Sequence, residues 1–266
     1  VDWAPSRIVA LAVAAFAAGA VNSVAGGGSL LTFPVLLAAG VDPLTANATN
    51  TVALMPGSLS ACVTYRAHLR GQGRAIAVMA LPSLVGGVLG ALLLLRGGSG
   101  TFTALVPWLV LGATGLFASQ ELLVRWRQSR DGAAEAQPEP TLASARATVG
   151  LALAQLVVAT YGGYFGAGIG IAMLAALSIV GMRDIHRMNA LKNLSAALIN
   201  GIAVVLFVRA HAADLGAAGL MAFAAVLGGR SGARLAQRVR PETVRRAVTV
   251  IGFAIALLLF ARRFAR

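Results

Sequence analysis

Two glycine-rich interruptions, one in each half of a very apolar chain, constrain the fold more than any other feature. The first is Gly26-Gly27-Gly28-Ser29, inside the apolar stretch from Gly19 to Pro34. The second is Gly162-Gly163-Tyr164-Phe165-Gly166-Ala167-Gly168-Ile169-Gly170, roughly 140 residues later. Consecutive glycines favour neither helix nor strand, because fixing their backbone costs the most entropy. A break at membrane depth is tolerated only where protein or a watery cavity covers the freed backbone groups. A helix starting just after such a break points its free N–H groups into that cavity, an arrangement that suits an anion. Two interrupted segments at matching positions point to the binding site of a membrane transporter.

The flanking sequence is that of a membrane protein. Of 266 residues, 58% are hydrophobic and only 12% charged, with mean hydropathy +0.80. An ordinary soluble domain or a disordered chain does not have this composition. Long apolar runs rich in Ala and Leu, without strand alternation, predict a polytopic all-α protein rather than a β-barrel. The net charge of +13 sits at run ends, where Lys and Arg set topology, so nucleic acid is not an expected partner. Cys62 is the single cysteine, which leaves no intrachain disulfide and no Cys-based metal site. The run from Ile8 to Val21 has the length of a signal-peptide core. The same run-then-glycine pattern recurs at Val149 to Gly170, so both copies read as structural.

In order, short runs at 8–21 and 29–41 flank the first break, and full runs follow at about 44–65, 75–96 and 102–124. Polar and proline-rich residues over 126–146 form a linker. Short runs at about 147–160 and 167–182 then precede full runs at about 188–208, 213–229 and 243–261. This divides the chain into a first transmembrane repeat (1–125), a cytoplasmic linker (126–146) and a second repeat (147–266). Gly26 and Gly28 fall on Gly166 and Gly168, Asp42 on Asp184, Asn47 to Asn50 on Asn189 to Lys192, and Gly86, Gly87 and Gly90 on Gly228, Gly229 and Gly232. Several matches at nearly one offset indicate an internal repeat.

Counting Lys and Arg orients the repeats. If each broken segment is a single crossing, the two sides carry 12 and 9, almost no bias. If each broken segment goes in and returns, as two short crossings or a re-entrant hairpin, the counts become 15 and 6. The positive-inside rule favours the second arrangement. It places both termini outside and gives each repeat an odd number of crossings, so the repeats are inverted. The expected architecture is two inverted-topology repeats, each a broken helix or short hairpin followed by three full transmembrane helices.

Few side chains could carry chemistry. Lys192 is the only lysine and lies inside an apolar run, where an ionisable group is functional by default; the bland alternative is a snorkelling side chain near Arg187. Asn189 and Asn193 share one helix face, as do Asn47 and Asn50. Four buried amides near two helix N-termini could share an anionic ligand, or simply bond helix to helix. Gly86 with Gly90 and Gly228 with Gly232 are spaced for close helix packing. Asp42 and Asp184 are expected N-caps, and Glu121 with Arg125 an ion pair. His68, His186 and His211 lie at run ends, far apart in sequence, and no metal or other cofactor is expected. No catalytic constellation is present, so the chain does not read as an enzyme.

The stretch from Asn22 to Pro34, followed by Gly40 and Ala46-Asn47-Ala48-Thr49-Asn50, resembles the first repeat of the TauE/SafE sulfite exporter family. Gly163 to Gly170, followed by Met188-Asn189-Ala190-Leu191-Lys192-Asn193, is similar to its second. The resemblance extends over essentially the whole chain. It implies a multi-pass permease of the bacterial inner membrane for sulfite, thiosulfate, sulfoacetate, sulfonates or other small organic anions, with export and uptake both open. Ser29 stands where many relatives continue with glycine. The candidate substrate contacts are Gly26, Gly27, Gly28, Ser29, Asn47, Asn50, Gly166, Gly168, Gly170, Asn189, Lys192 and Asn193. The expected function is secondary transport by alternating access, with proton coupling open; the alternatives are an anion channel on the same scaffold and an uptake permease for a non-sulfur organic anion. Partners are the small anion and the bilayer; the oligomeric state is open.

Overall fold

The computed structural model describes residues 4–24, 27–119, 144–235 and 241–264. Gly26, the Glu121–Arg125 pair and all but the last residues of the 126–146 linker lie outside the described residues. The described part is helical, with α1 (Pro5–Val24), α2 (Ser29–Ala38), α3 (Pro43–Thr64) and a 3₁₀ turn (Arg66–Leu69). The helix Gly73–Ala118 is continuous except at Gly98, where φ is 69° and ψ 174°. Only glycine takes that conformation at no cost, and it divides the segment into α4 (73–97) and α5 (99–118). There follow α6 (Ala145–Tyr164), α7 (Ile169–Ile179), α8 (Ile185–Arg209), α9 (Leu215–Leu235) and α10 (Pro241–Phe264). Pro5–Asn22, Gly73–Ala118, Ala145–Tyr164 and Ile185–Arg209 are long and apolar enough to cross a membrane.

The runs before each break are longer than hydropathy indicates. The expectation was two short runs, 8–21 and 147–160. Instead α1 and α6 each have 20 residues, enough to span a bilayer. Polar or small residues at the ends (Asn22, Gly162, Gly163) continue the helix while dropping out of a hydropathy window. Only α2 and α7, with 10 and 11 residues, are too short to cross. α6 also starts inside the expected linker, at Ala145, because Ser144 caps it through the Ala147 amide at 3.0 Å.

The turns after the two short helices are alike. α2 ends at Gly40, whose amide bonds the Leu37 carbonyl while Val41 bonds Leu36; α7 ends at Gly181, whose amide bonds Ser178 while Met182 bonds Leu177. Both glycines have φ near 90°, 85° and 92° respectively, as a helix C-cap of this kind requires. Aspartate caps then start the next helices. Asp42 accepts the Leu44 and Thr45 amides at 3.1 and 3.4 Å. Asp184 accepts those of His186 and Arg187 at 2.8 and 3.2 Å.

The closest helix contacts pair one half with the other. α4 packs on α6, and α1 on α9. A Cβ on Gly86 would lie 2.8 Å from the Leu156 carbonyl oxygen; one on Gly228 would strike the Phe16 carbonyl and one on Gly90 that of Thr160. These are backbone-to-backbone contacts of the small-residue kind that hold membrane helices together. α3 and α8 cross antiparallel, since Asp214 N reaches Thr49 Oγ1 at 2.9 Å while Met55 touches Gly201 and Asn200 approaches Ser58. α5 and α10 do the same, with Gly252 against Thr114 and Phe260 edge-on to Trp108 at 4.9 Å. Val157, Phe223 and Leu257 are 70, 69 and 72% exposed, the outward apolar face that lipid covers.

Candidate functional site

Both breaks meet α5. A Cβ on Gly27 would lie 2.5 Å from the Phe117 ring, and one on Gly168 would lie 3.5 Å from the Ala113 carbonyl oxygen and 3.7 Å from Leu116 Cβ. One turn of α5, residues 113–117, therefore runs between the segments that interrupt the two halves. This turn carries no motif, which is why the sequence does not single it out.

At the first break the chain turns through Gly27, at φ 85°, and Gly28 becomes the N-cap of α2 without any side-chain cap. Asn22, on the last turn of α1, accepts the Gly28 amide at 2.7 Å. Thr32 Oγ1 donates to Asn50 Oδ1 at 2.5 Å and lies 3.2 Å from the Gly28 carbonyl. Thr32 and Asn50 are 0 and 2% exposed, so α2 is joined to α3 by a buried polar pair. Because Oδ1 accepts from Thr32, the Asn50 amide nitrogen is the group left to donate. Ser29, the first residue of α2, is partly buried. Thr32 is a residue that sequence reasoning passed over; a hydroxyl on the first turn after a glycine break is the signal that marks it.

At the second break Gly166 and Gly168 both have left-handed φ, 82° and 81°. Gly168 is the N-cap of α7. The Ile171 amide bonds the Gly168 carbonyl at 3.0 Å; the amides of Ile169 and Gly170 have no acceptor among the described residues. Tyr161 Oη donates to the Ala167 carbonyl at 2.8 Å and fixes the loop. Phe165 stacks edge-on against Phe33 of α2 at 5.3 Å, and Tyr164 against Phe102 of α5 at 5.5 Å.

The α3 and α8 side chains reach this second break from opposite ends. Asn47, 1% exposed, donates from Nδ2 to the Tyr164 carbonyl at 3.0 Å. Lys192 lays its stem against Gly170, where a Cβ would lie 3.2 Å from Lys192 Cδ. Met55 and Gly201 mark the α3–α8 crossing. Asn47 and Asn50 lie before it on α3, and Asn189, Lys192 and Asn193 before it on an antiparallel α8, so the two groups diverge. The four amides accordingly do not form one ring. Asn189, Lys192 and Asn193 are partly buried, and their side chains make no hydrogen bond to a described residue. Gly27, Gly28, Gly166 and Gly168 lie in the two breaks, and Gly170 lies in the first turn of α7.

Elsewhere, His68 and His186 stack at 5.3 Å although 118 residues separate them. They close the end of the bundle opposite Asp214 and Thr49. No group of three or more potential metal-ligating side chains occurs among the described residues.

The comparisons with known proteins agree with this architecture. The chain is 29% identical over 264 residues to a probable membrane transporter protein, ORF9, of Sinorhizobium, covering 98% of this chain and 95% of that one. It is 34% identical over 102 residues, 38% of this chain and 40% of the relative, to a probable membrane transporter protein of Haemophilus influenzae. It is 44% identical over 61 residues, 23% of each chain, to the probable membrane transporter protein YfcA of Escherichia coli. No solved structure matches. The description "Sulfite exporter TauE/SafE" matches residues 11–259, nearly the full length, and the chain belongs to that family of membrane transporters.

Proposed function

We propose that the protein is a secondary transporter that moves a small sulfur-containing or organic anion across the inner membrane by alternating access. The observation that carries this reading is the meeting of both breaks on the 113–117 turn of α5. There the N-termini of α2 and α7 converge, each with the positive pole of a helix; among the described residues the Ser29 amide of α2 and the Ile169 and Gly170 amides of α7 have no acceptor. Lys192 supplies a full charge beside Gly170. The Asn50 amide nitrogen, with its oxygen held by Thr32, supplies a donor beside Gly28. Asn189 and Asn193 flank Lys192 on α8 and extend the donor set.

The two halves suit alternating access. Equivalent helices α3 and α8 cross antiparallel, as do α5 and α10. The α1–α9 and α4–α6 contacts exchange partners between halves. Both features support inverted repeats over 1–125 and 147–266, in which two similar units trade conformations around one site. Arg66, Arg70, Arg74, Arg183 and Arg187 gather at the His68–His186 end, which supports a cytoplasmic assignment for it.

A melting-temperature panel of sulfite, thiosulfate, sulfonates and carboxylates identifies the anion, since a ligand of the folded state raises the transition. Uptake into proteoliposomes then tests the site. Lys192→Ala should weaken the apparent affinity roughly 10- to 100-fold, the worth of a hydrogen bond to a charged group. Full transport with unchanged affinity in that variant removes the lysine from the mechanism.

A further inference from the structure

The second break also presents acceptors, and they are unfilled. The Phe165 and Gly166 amides both bond the Tyr161 carbonyl, at 2.9 and 3.2 Å. Gly166 would have bonded Gly162 had the helix continued. The carbonyls of Gly162 and Gly163 therefore accept no amide among the described residues. The next carbonyl, that of Tyr164, accepts from Asn47 Nδ2 at 3.0 Å. Asn47 is 1% exposed, and its Oδ1 has no hydrogen-bond partner. Turning the amide over would set oxygen against oxygen at Tyr164, so the unfilled atom is the acceptor. A buried acceptor left unpaired costs about 1–3 kcal/mol. Here one sits against the negative pole of a 20-residue helix, whose last carbonyls are also unfilled.

We infer that the C-terminus of α6, together with Asn47 Oδ1, is a binding site for a monovalent metal cation, sodium or potassium. Oxygen dipoles without a carboxylate suit a singly charged ion, whereas calcium and magnesium call for carboxylates. The described carboxylates are engaged elsewhere: Asp42, Asp184 and Asp214 cap α3, α8 and α9. Unwound carbonyls at a half-helix C-terminus are a known setting for such ions in transporters. The assignment revises the expected part of Asn47. Its donor is committed to Tyr164, so it faces a cation and not the anion. The ion site stands on this geometry alone and does not rest on the transport reading above.

The test is the melting temperature of the full chain in detergent, without any anion of the panel, in sodium, potassium and choline chloride at one ionic strength. Saturating sodium or potassium should raise the transition about 3 °C or more above choline. Asn47→Leu, close in shape but without the acceptor, should abolish the difference. Equal transitions in all three salts overturn the inference, and so does a full response in folded Asn47→Leu. If that variant does not fold, the comparison of salts on the unaltered protein still decides. The readout needs no transport, so its failure leaves the anion reading standing, and a failure of uptake leaves the cation site standing.

Discussion

At the scale of single residues, the glycines separate into those the fold needs and those it tolerates. A Cβ on Gly90 would strike the Thr160 carbonyl of α6, a backbone atom that cannot step aside. Gly112, also helical, has nothing within 4 Å of its Cβ position. Gly90→Ala should therefore force α4 and α6 apart and cost about 1–3 kcal/mol, the usual penalty of overpacking. Gly112→Ala should be neutral or stabilise by up to about 1 kcal/mol, because alanine is the better helix former. Thermal melts of the two variants in detergent decide this, and equal melting temperatures would contradict it. The sequence shows that both positions are glycine in apolar runs. It cannot show which faces a carbonyl, because the partner lies some 70 residues away on another helix.

At the scale of elements, the two breaks and the aspartate caps were legible, because glycine and Asp act on their own neighbours. Gly168 takes φ 81° and Asp184 binds the amides two and three residues on; both effects are local. What hydropathy misjudged was length. Asn22 and Gly162 extend α1 and α6 since helix ends tolerate polar and small residues once neighbouring helices pack on them. The cap at the start of α8 has a measurable share in stability. Burial pushes the Asp184 carboxyl up, but the hydrogen bonds from the Arg187 and His186 amides, with the charges of those residues, outweigh it and hold the pKa below the usual carboxylate value. A lowered pKa means the stabilisation is complete above about pH 4, the unfolded value, and is lost as pH falls through the lowered one. Asp184→Ala should cost about 1 kcal/mol, with a deficit that is constant above about pH 5 and closes in stronger acid. Melts across pH follow it, and a deficit that persists undiminished below pH 3 would assign the loss to packing.

At the scale of the whole molecule, contacts show which turns share an end of the bundle, and the charge pattern can be set against them. His68 stacks on His186, so the α3–α4 turn and the start of α8 share one end. Ser99 bonds Asp42 and Asp214 bonds Thr49, so the α4–α5 kink, the start of α3 and the α8–α9 turn share the other. The arginines in its turns support the proposed cytoplasmic placement of the first end. This pairing of distant loops needed the tertiary structure; arginine counting alone only ranks two arrangements. In a Cys62→Ser background, Gly100→Cys and Ala210→Cys should react with a membrane-impermeant maleimide on intact cells. Ala67→Cys and Ile185→Cys should react only after permeabilisation. All four positions are solvent-facing or open in the fold, so silence cannot be ascribed to burial. Labelling of Ala67→Cys and Ile185→Cys from opposite sides would break the hairpin arrangement of the broken segments. With it would go the inverted relation of the halves, because that relation requires α3 and α8 to cross the bilayer in opposite senses.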